Sequence, residues 1–131
     1  MTLEKTSTPL MMANQSKLKN KIVLVPFPFD DLSSSKVRPA VCLTEPIGQP
    51  KHVVLAFITS RLPENPELSD VILLGETEGF EITGQRVSSA IRLHRLMTVT
   101  TELVRRELGE LAPKQQEKVN QKLRALFELN R

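Results

Sequence analysis

Arg38 stands where a strand would not ordinarily put a charge. It follows the serine-rich stretch DDLSSSK (30–36), opens the apolar run VRPAVCLT (37–44), and is followed at once by Pro39. Proline has no N–H to give a strand ladder, so this end of the run is expected at an edge or rim of a sheet. A permanently charged guanidinium held there by a stiff neighbour matches the geometry of phosphate or carboxylate. The same arginine could instead pair Asp30 or Asp31 and pin the loop. A second polar group interrupts another apolar run: in SSAIRLHRLMTV (88–99), Arg92 and His94 fall two residues apart. On a strand they share one face, with Ile91 and Leu93 on the other. By pattern alone the pair could also be the solvated face of a half-exposed strand.

Much other chemistry is excluded by residue count and spacing. The chain has one cysteine and two histidines, too few for a zinc site of three or four suitable ligands. It has neither a phosphate-binding G-x-x-x-x-G-K-[ST] loop nor a G-x-G-x-x-G dinucleotide fingerprint. No serine sits in a nucleophile elbow. Cys42 lies in an apolar run with nothing nearby to lower its pKa, so it is read as a core thiol and not a nucleophile. His52, beside Lys51 at a strand start, is read as exposed. An enzyme made from this sequence works without a bound organic cofactor or a tightly held metal. Reactions of that kind move protons and stabilise developing charge.

The charge balance is mild. Eighteen Lys+Arg against 15 Asp+Glu give +3 over 131 residues, too little to argue for non-specific polyphosphate binding. The segment Glu64–Glu81 holds six acids and no base. With no Trp, no Tyr and five Phe, stacking platforms for single-stranded bases are scarce. Nucleic acid, if it is the substrate, must be recognised locally. No window is apolar for long enough to span a bilayer and no secretory signal is visible, so the expected location is cytoplasmic.

The elements that must hold these residues follow from hydrophobic pattern. Residues 1–20 lack apolar periodicity and are expected to be a flexible tail, with Met11 and Met12 as alternative starts; residues 21–131 are expected to form one domain. Strands are expected at Lys21–Phe27, Val37–Thr44, Lys51–Thr59, Asp70–Leu74 and Ser88–Val99, the last with a bulge at Arg95–Leu96 where its alternation inverts. Pro26 and Pro28 limit the first to an edge or end. Two helices are expected to close the chain. Thr101–Leu108 has Thr100 as N-cap and Gly109 as stop. The other has Pro113 at its first position and Val119, Leu123, Leu126 and Phe127 as one apolar stripe. Short strands followed by helices imply an α+β domain with a small barrel-like sheet.

The order of motifs resembles the MazF/PemK-like toxins of toxin–antitoxin pairs. It runs VPFPFDD (25–31), a serine-rich loop, RPAV (38–41), AFITS (56–60), then SAIRLH (89–94) and a leucine-rich tail. The resemblance covers Lys21 to about Leu129. It implies an SH3-like barrel of the CcdB/MazF type with a long C-terminal helix, commonly a homodimer, whose interface would be supplied by that helix or by the strand near Val99. It further implies metal-independent, sequence-selective cleavage of single-stranded RNA by attack of a ribose 2′-OH on the adjacent phosphate, with a cognate antitoxin as partner. Carried over by motif, Arg38 and Thr59 would contact the scissile phosphate and Arg92 would be a basic group of the site. His94 falls where one branch often has an acidic residue. It is here expected to take or give the proton, since an unperturbed imidazole titrates near neutrality. RNA contacts are expected from the flanking loops, at Asp30, Asp31, Ser35 and Lys36 and at Ser60 and Arg61. The Gly-Asp or Gly-Glu that usually precedes the family's first strand is replaced by Asn20-Lys21. Two other readings share the scaffold: a gyrase-inhibitor-like binder, disfavoured by the Arg-Pro and Thr pattern, and a non-catalytic interaction module.

Overall fold

The computed structural model describes residues 17–26 and 36–129. Six strands form one antiparallel sheet: β1 Lys21–Pro26, β2 Val37–Cys42, β3 His52–Thr59, β4 Asp70–Leu73, β5 Ser89–Thr100 and β6 Arg106–Glu110. Their spatial order is β4-β5-β3-β2-β1-β6. One helix, α1 Pro113–Leu126, follows. The sheet curls into a half-barrel and buries both faces. Ile22, Val41, Ala56, Ile91 and Leu93 pack with Val119 of the helix on one side, while Val23, Val25, Cys42, Leu55 and Phe57 pack with Val99 on the other. Each fully buried aliphatic side chain contributes about 1.5–3 kcal/mol, which is why β1 reads as a continuous apolar run and not as an alternation. Packing starts before Lys21, since Leu18 joins the second of these clusters and Asn20 donates its N–H to the Cys42 carbonyl at 2.8 Å.

The five strands expected from pattern are all present. Neither proline-bearing strand is an edge of the whole sheet: β1 lies between β2 and β6, and β2 between β1 and β3. Their prolines act locally, at strand ends. The β5 irregularity is wider than expected. Ala56 pairs with Leu96 and Ile58 with Ile91, so the four residues Arg92–Arg95 stand opposite the single residue Phe57. A bulge of this kind bends its strand and re-aims side chains.

The expected helix at Thr101–Leu108 does not form. A short 3-10 turn covers Thr101–Leu103, and Arg106–Glu110 is the edge strand β6, paired with β1. Tertiary pairing overrides the capping signals, because without β6 the flank of β1 would be an open edge. Gly109 is not a helix stop. A Cβ there would lie 2.2 Å from the carbonyl oxygen of Ile82, so only glycine lets β6 cross the turn Glu81–Thr83 this closely. Lys21 clips the same junction, with Nζ 2.8 Å from Glu110 and 3.2 Å from Glu107. The hydrogen bond to Glu110 raises its pKa despite partial desolvation, and Glu107 adds to the rise.

The last helix starts at Pro113 as expected. Ala112 offers no capping side chain; instead Gln115 Oε1 reaches back to accept the Ala112 N–H at 2.6 Å. Val119 is buried and Leu123 and Leu126 are partly so, but Phe127 lies past the helix end and is 54% exposed. Among the described residues no helix is long and apolar enough to cross a membrane.

Gly109→Ala must displace backbone at the β6 crossing and should destabilise the protein by at least about 1–3 kcal/mol, read as a lowered urea midpoint. Lys21→Met should cost about 0.5 kcal/mol at neutral pH. Because the Lys21 pKa is raised, its contribution is complete below the ordinary lysine value of 10.5 and is lost above it. The gap between wild type and variant should therefore close as urea titrations move to more alkaline pH.

Candidate active site

The site is built where two neighbouring strands separate. β2 and β3 pair from Leu43, whose N–H reaches the Val54 carbonyl, through Cys42–Ala40 set against Leu55–Phe57. Beyond that, Arg38 and Pro39 pair with β1 alone, opposite Val25 and Leu24. Ile58 and Thr59 pair with Ile91 and Ala90 of β5. The start of β2 is thus a local rim inside the sheet, as the Arg-Pro dipeptide led us to expect. The bulge of β5 fills the other side of the gap. The result is a pocket of about 140 Å³ lined by Arg38, Thr59, Arg92 and Arg95 over a floor of Phe57 and Ile58. Pockets for drug-sized ligands start at about 300 Å³. One this small, ringed by guanidinium groups, suits a single anionic group such as a phosphate.

Each polar side chain is placed by its element. Arg38 is exposed at the start of β2. Thr59 ends β3, and its Oγ1 accepts the N–H of Arg61 at 3.0 Å, which leaves the hydroxyl proton to donate. Arg92 is held through Nε, 2.8 Å from Asp70 Oδ1. The structure therefore brings Arg38, Thr59 and Arg92 into one pocket. His94 does not line it. Its ring is 37% exposed, with Nδ1 3.9 Å from the same Asp70 oxygen, beyond hydrogen-bond length. Lys36, Ser60 and Arg61 are exposed beside the strand ends that carry Arg38 and Thr59. Asp30, Asp31 and Ser35 lie outside the described residues.

Two residues of this arrangement were not found by sequence reasoning. Arg95 marked only the point where the β5 alternation inverts, and its position in the pocket depends on the size of the bulge. Asp70 looked like the polar start of a short strand. Its pairing with Arg92 is a register fact, Asp70 opposite Arg92 across β4 and β5, that one sequence does not disclose.

Residues 19–127 match the profile of the PemK-like, MazF-like toxins of type II toxin–antitoxin systems. The chain belongs to this family. No curated protein matches it in sequence, but solved MazF structures share its fold. A Mycobacterium tuberculosis toxin, MazF-mt6, superposes with a TM-score of 0.65 at 18% identity, over 85% of this chain and 99% of that one. A mycobacterial endoribonuclease in complex with its cognate antitoxin gives 0.62 at 16%, over 87% and 97%. The MazE–MazF complex of Deinococcus radiodurans gives 0.61 at 19%, over 86% and 95%. Like this MazF-like chain, they cover nearly their full length in the match, so the half-barrel and its helix are the common framework.

Cys42 takes no part in the MazF-like site. Burial pushes its thiol up to about 12, with Glu107 and Glu45 adding to the rise, so the reactive thiolate is absent at neutral pH. A disulfide reagent such as Ellman's should leave the native protein unlabelled and titrate one thiol in denaturant; prompt labelling of the folded chain would contradict this burial.

Proposed function

We propose that this chain is a metal-independent endoribonuclease toxin that cuts single-stranded RNA at short sequences. The observation that carries the proposal is the convergence of Arg38, Thr59, Arg92 and Arg95 on one phosphate-sized pocket. In the reaction the 2′-oxygen forms a bond to the adjacent phosphorus and the bond from phosphorus to the 5′-oxygen breaks. The products are a cyclic 2′,3′-phosphate and a 5′-hydroxyl end. Negative charge grows on the nonbridging oxygens, where Arg38 and Arg95 offset it and the Thr59 hydroxyl donates a hydrogen bond. Arg92 contributes a third cation from the β5 bulge. Arginine is too basic to move the proton. His94 is assigned that step: with Asp70 on its Nδ1 side, Nε2 is left to take the 2′-OH proton or give one to the leaving oxygen.

Lys36, Ser60 and Arg61 flank the pocket and would guide the strand, together with Asp30, Asp31 and Ser35. Base choice would then lie in the loops that these residues begin or end. The protein would act in the cytoplasm as a homodimer, slow growth by destroying messages, and be silenced by a cognate antitoxin; two of the solved relatives are themselves complexes with an antitoxin. Val99 is buried in the chain's own core, so a dimer would use other groups, of which Leu96, Phe127 and Leu129 are exposed.

The test is cleavage of a long single-stranded transcript in EDTA. Wild type should give discrete fragments with 5′-hydroxyl ends. Arg38→Ala should lower the rate about 10²–10³-fold, and His94→Ala about 10²–10⁴-fold. Full activity in His94→Ala would remove the histidine from proton transfer. A folded wild type that cuts nothing would overturn the nuclease reading and leave a non-catalytic binding protein on this fold.

A further inference from the structure

We infer that Asp70 is the positioning residue of this site, setting the direction from which Arg92 meets the phosphate. The claim deepens the nuclease reading and rests on it for its kinetic part only. Asp70 has a side chain with 0% exposure. A buried carboxylate is costly unless its oxygens are paired, and here both are. Oδ2 accepts the Glu67 N–H at 2.8 Å, and the Asp70 N–H returns a bond to the Glu67 carbonyl at 3.0 Å. The turn 67–70 is thereby closed around its own side chain. Oδ1 is left to face β5, where it accepts from Arg92 Nε at 2.8 Å.

The grip on Nε has a consequence for the substrate. A guanidinium carries five N–H donors in a fixed plane. Holding it by the Nε edge fixes that plane and leaves the four Nη donors at the far end for a ligand. Arg92 lines the pocket, so the donors are aimed before RNA arrives and the side chain has less freedom to lose on binding. The same oxygen lies 3.9 Å from His94 Nδ1. Arg92 and a protonated His94, two residues apart on one face, would otherwise repel. One buried carboxylate between them lowers that cost.

The test is a double-mutant cycle in RNA cleavage, with Asp70→Asn, Arg92→Ala and the pair. Asp70→Asn should lower kcat about 100-fold, and adding it to Arg92→Ala should change little further. Effects that simply multiply would overturn the inference, because an aspartate that only supports the fold acts independently of Arg92. A second measurement needs no variant and no activity. The Arg92 Nε–Hε group should give a separate, slowly exchanging signal in the 15N spectrum of the wild type; rapid exchange with water would refute the pairing. In a folded Asp70→Asn protein that protection should fall while the backbone amide spectrum is retained. A wild type that cuts no RNA but shows the protected Hε would sink the nuclease reading and leave Asp70 as the holder of Arg92.

Discussion

The site depends on the short pairing between β2 and β3. The two strands pair as far as Ala40 and Phe57, and then they diverge. Pro39 helps enforce the divergence, since it has no N–H with which to continue a ladder. The β5 bulge completes it by setting four residues against Phe57. A regular sheet would have closed this gap with backbone hydrogen bonds and left no place for an anion. The departures from regularity are not scattered: rim, bulge and strand end all border the same small volume.

Gathering arginines in one place has an electrostatic cost that the fold must offset locally. Asp70 does part of this from beneath the surface. It also bears on the acidic segment Glu64–Glu81, whose six acids lie close in sequence to a basic pocket. Glu64, Glu67, Glu76, Glu78 and Glu81 are exposed, whereas Asp70 is turned inward onto Arg92. One of the six acids thus serves the basic site. The turn that presents it is fixed from a second side, because Lys122 of α1 donates to the Leu68 carbonyl at 2.9 Å. The C-terminal helix therefore supports the site through a turn as well as packing on the core.

What was legible in the sequence was what local pattern determines. The β-branched runs predicted five strands, the alternation around Ile91 and Leu93 predicted which face of β5 is buried, and Pro113 marked the start of α1. The motif order led to Arg38, Thr59 and Arg92. What was hidden depends on pairing between distant segments. Thr100 and Gly109 fit a short helix as N-cap and stop, yet the flank of β1 recruits Arg106–Glu110 as a strand. Gly109 looks the same in sequence whether it ends a helix or admits a close backbone crossing. Arg95 and Asp70 could be placed only by the bulge width and by the β4–β5 register, and neither has a one-chain signature.

Solved relatives at 16–19% identity keep this framework, which means that few side chains are needed to specify it: apolar residues on both faces of curled strands, and a helix to cover one face. The chemistry is more exacting. A carboxylate at position 94, where the resemblance would place an acidic residue, would set two anions about Arg92 and draw its guanidinium between them. Histidine there leaves Asp70 to hold Arg92 by one edge. The swap therefore alters the pull on the arginine. In this fold the strands set the shape of the pocket, and the pairing of Asp70 with Arg92 sets how one of its cations is held.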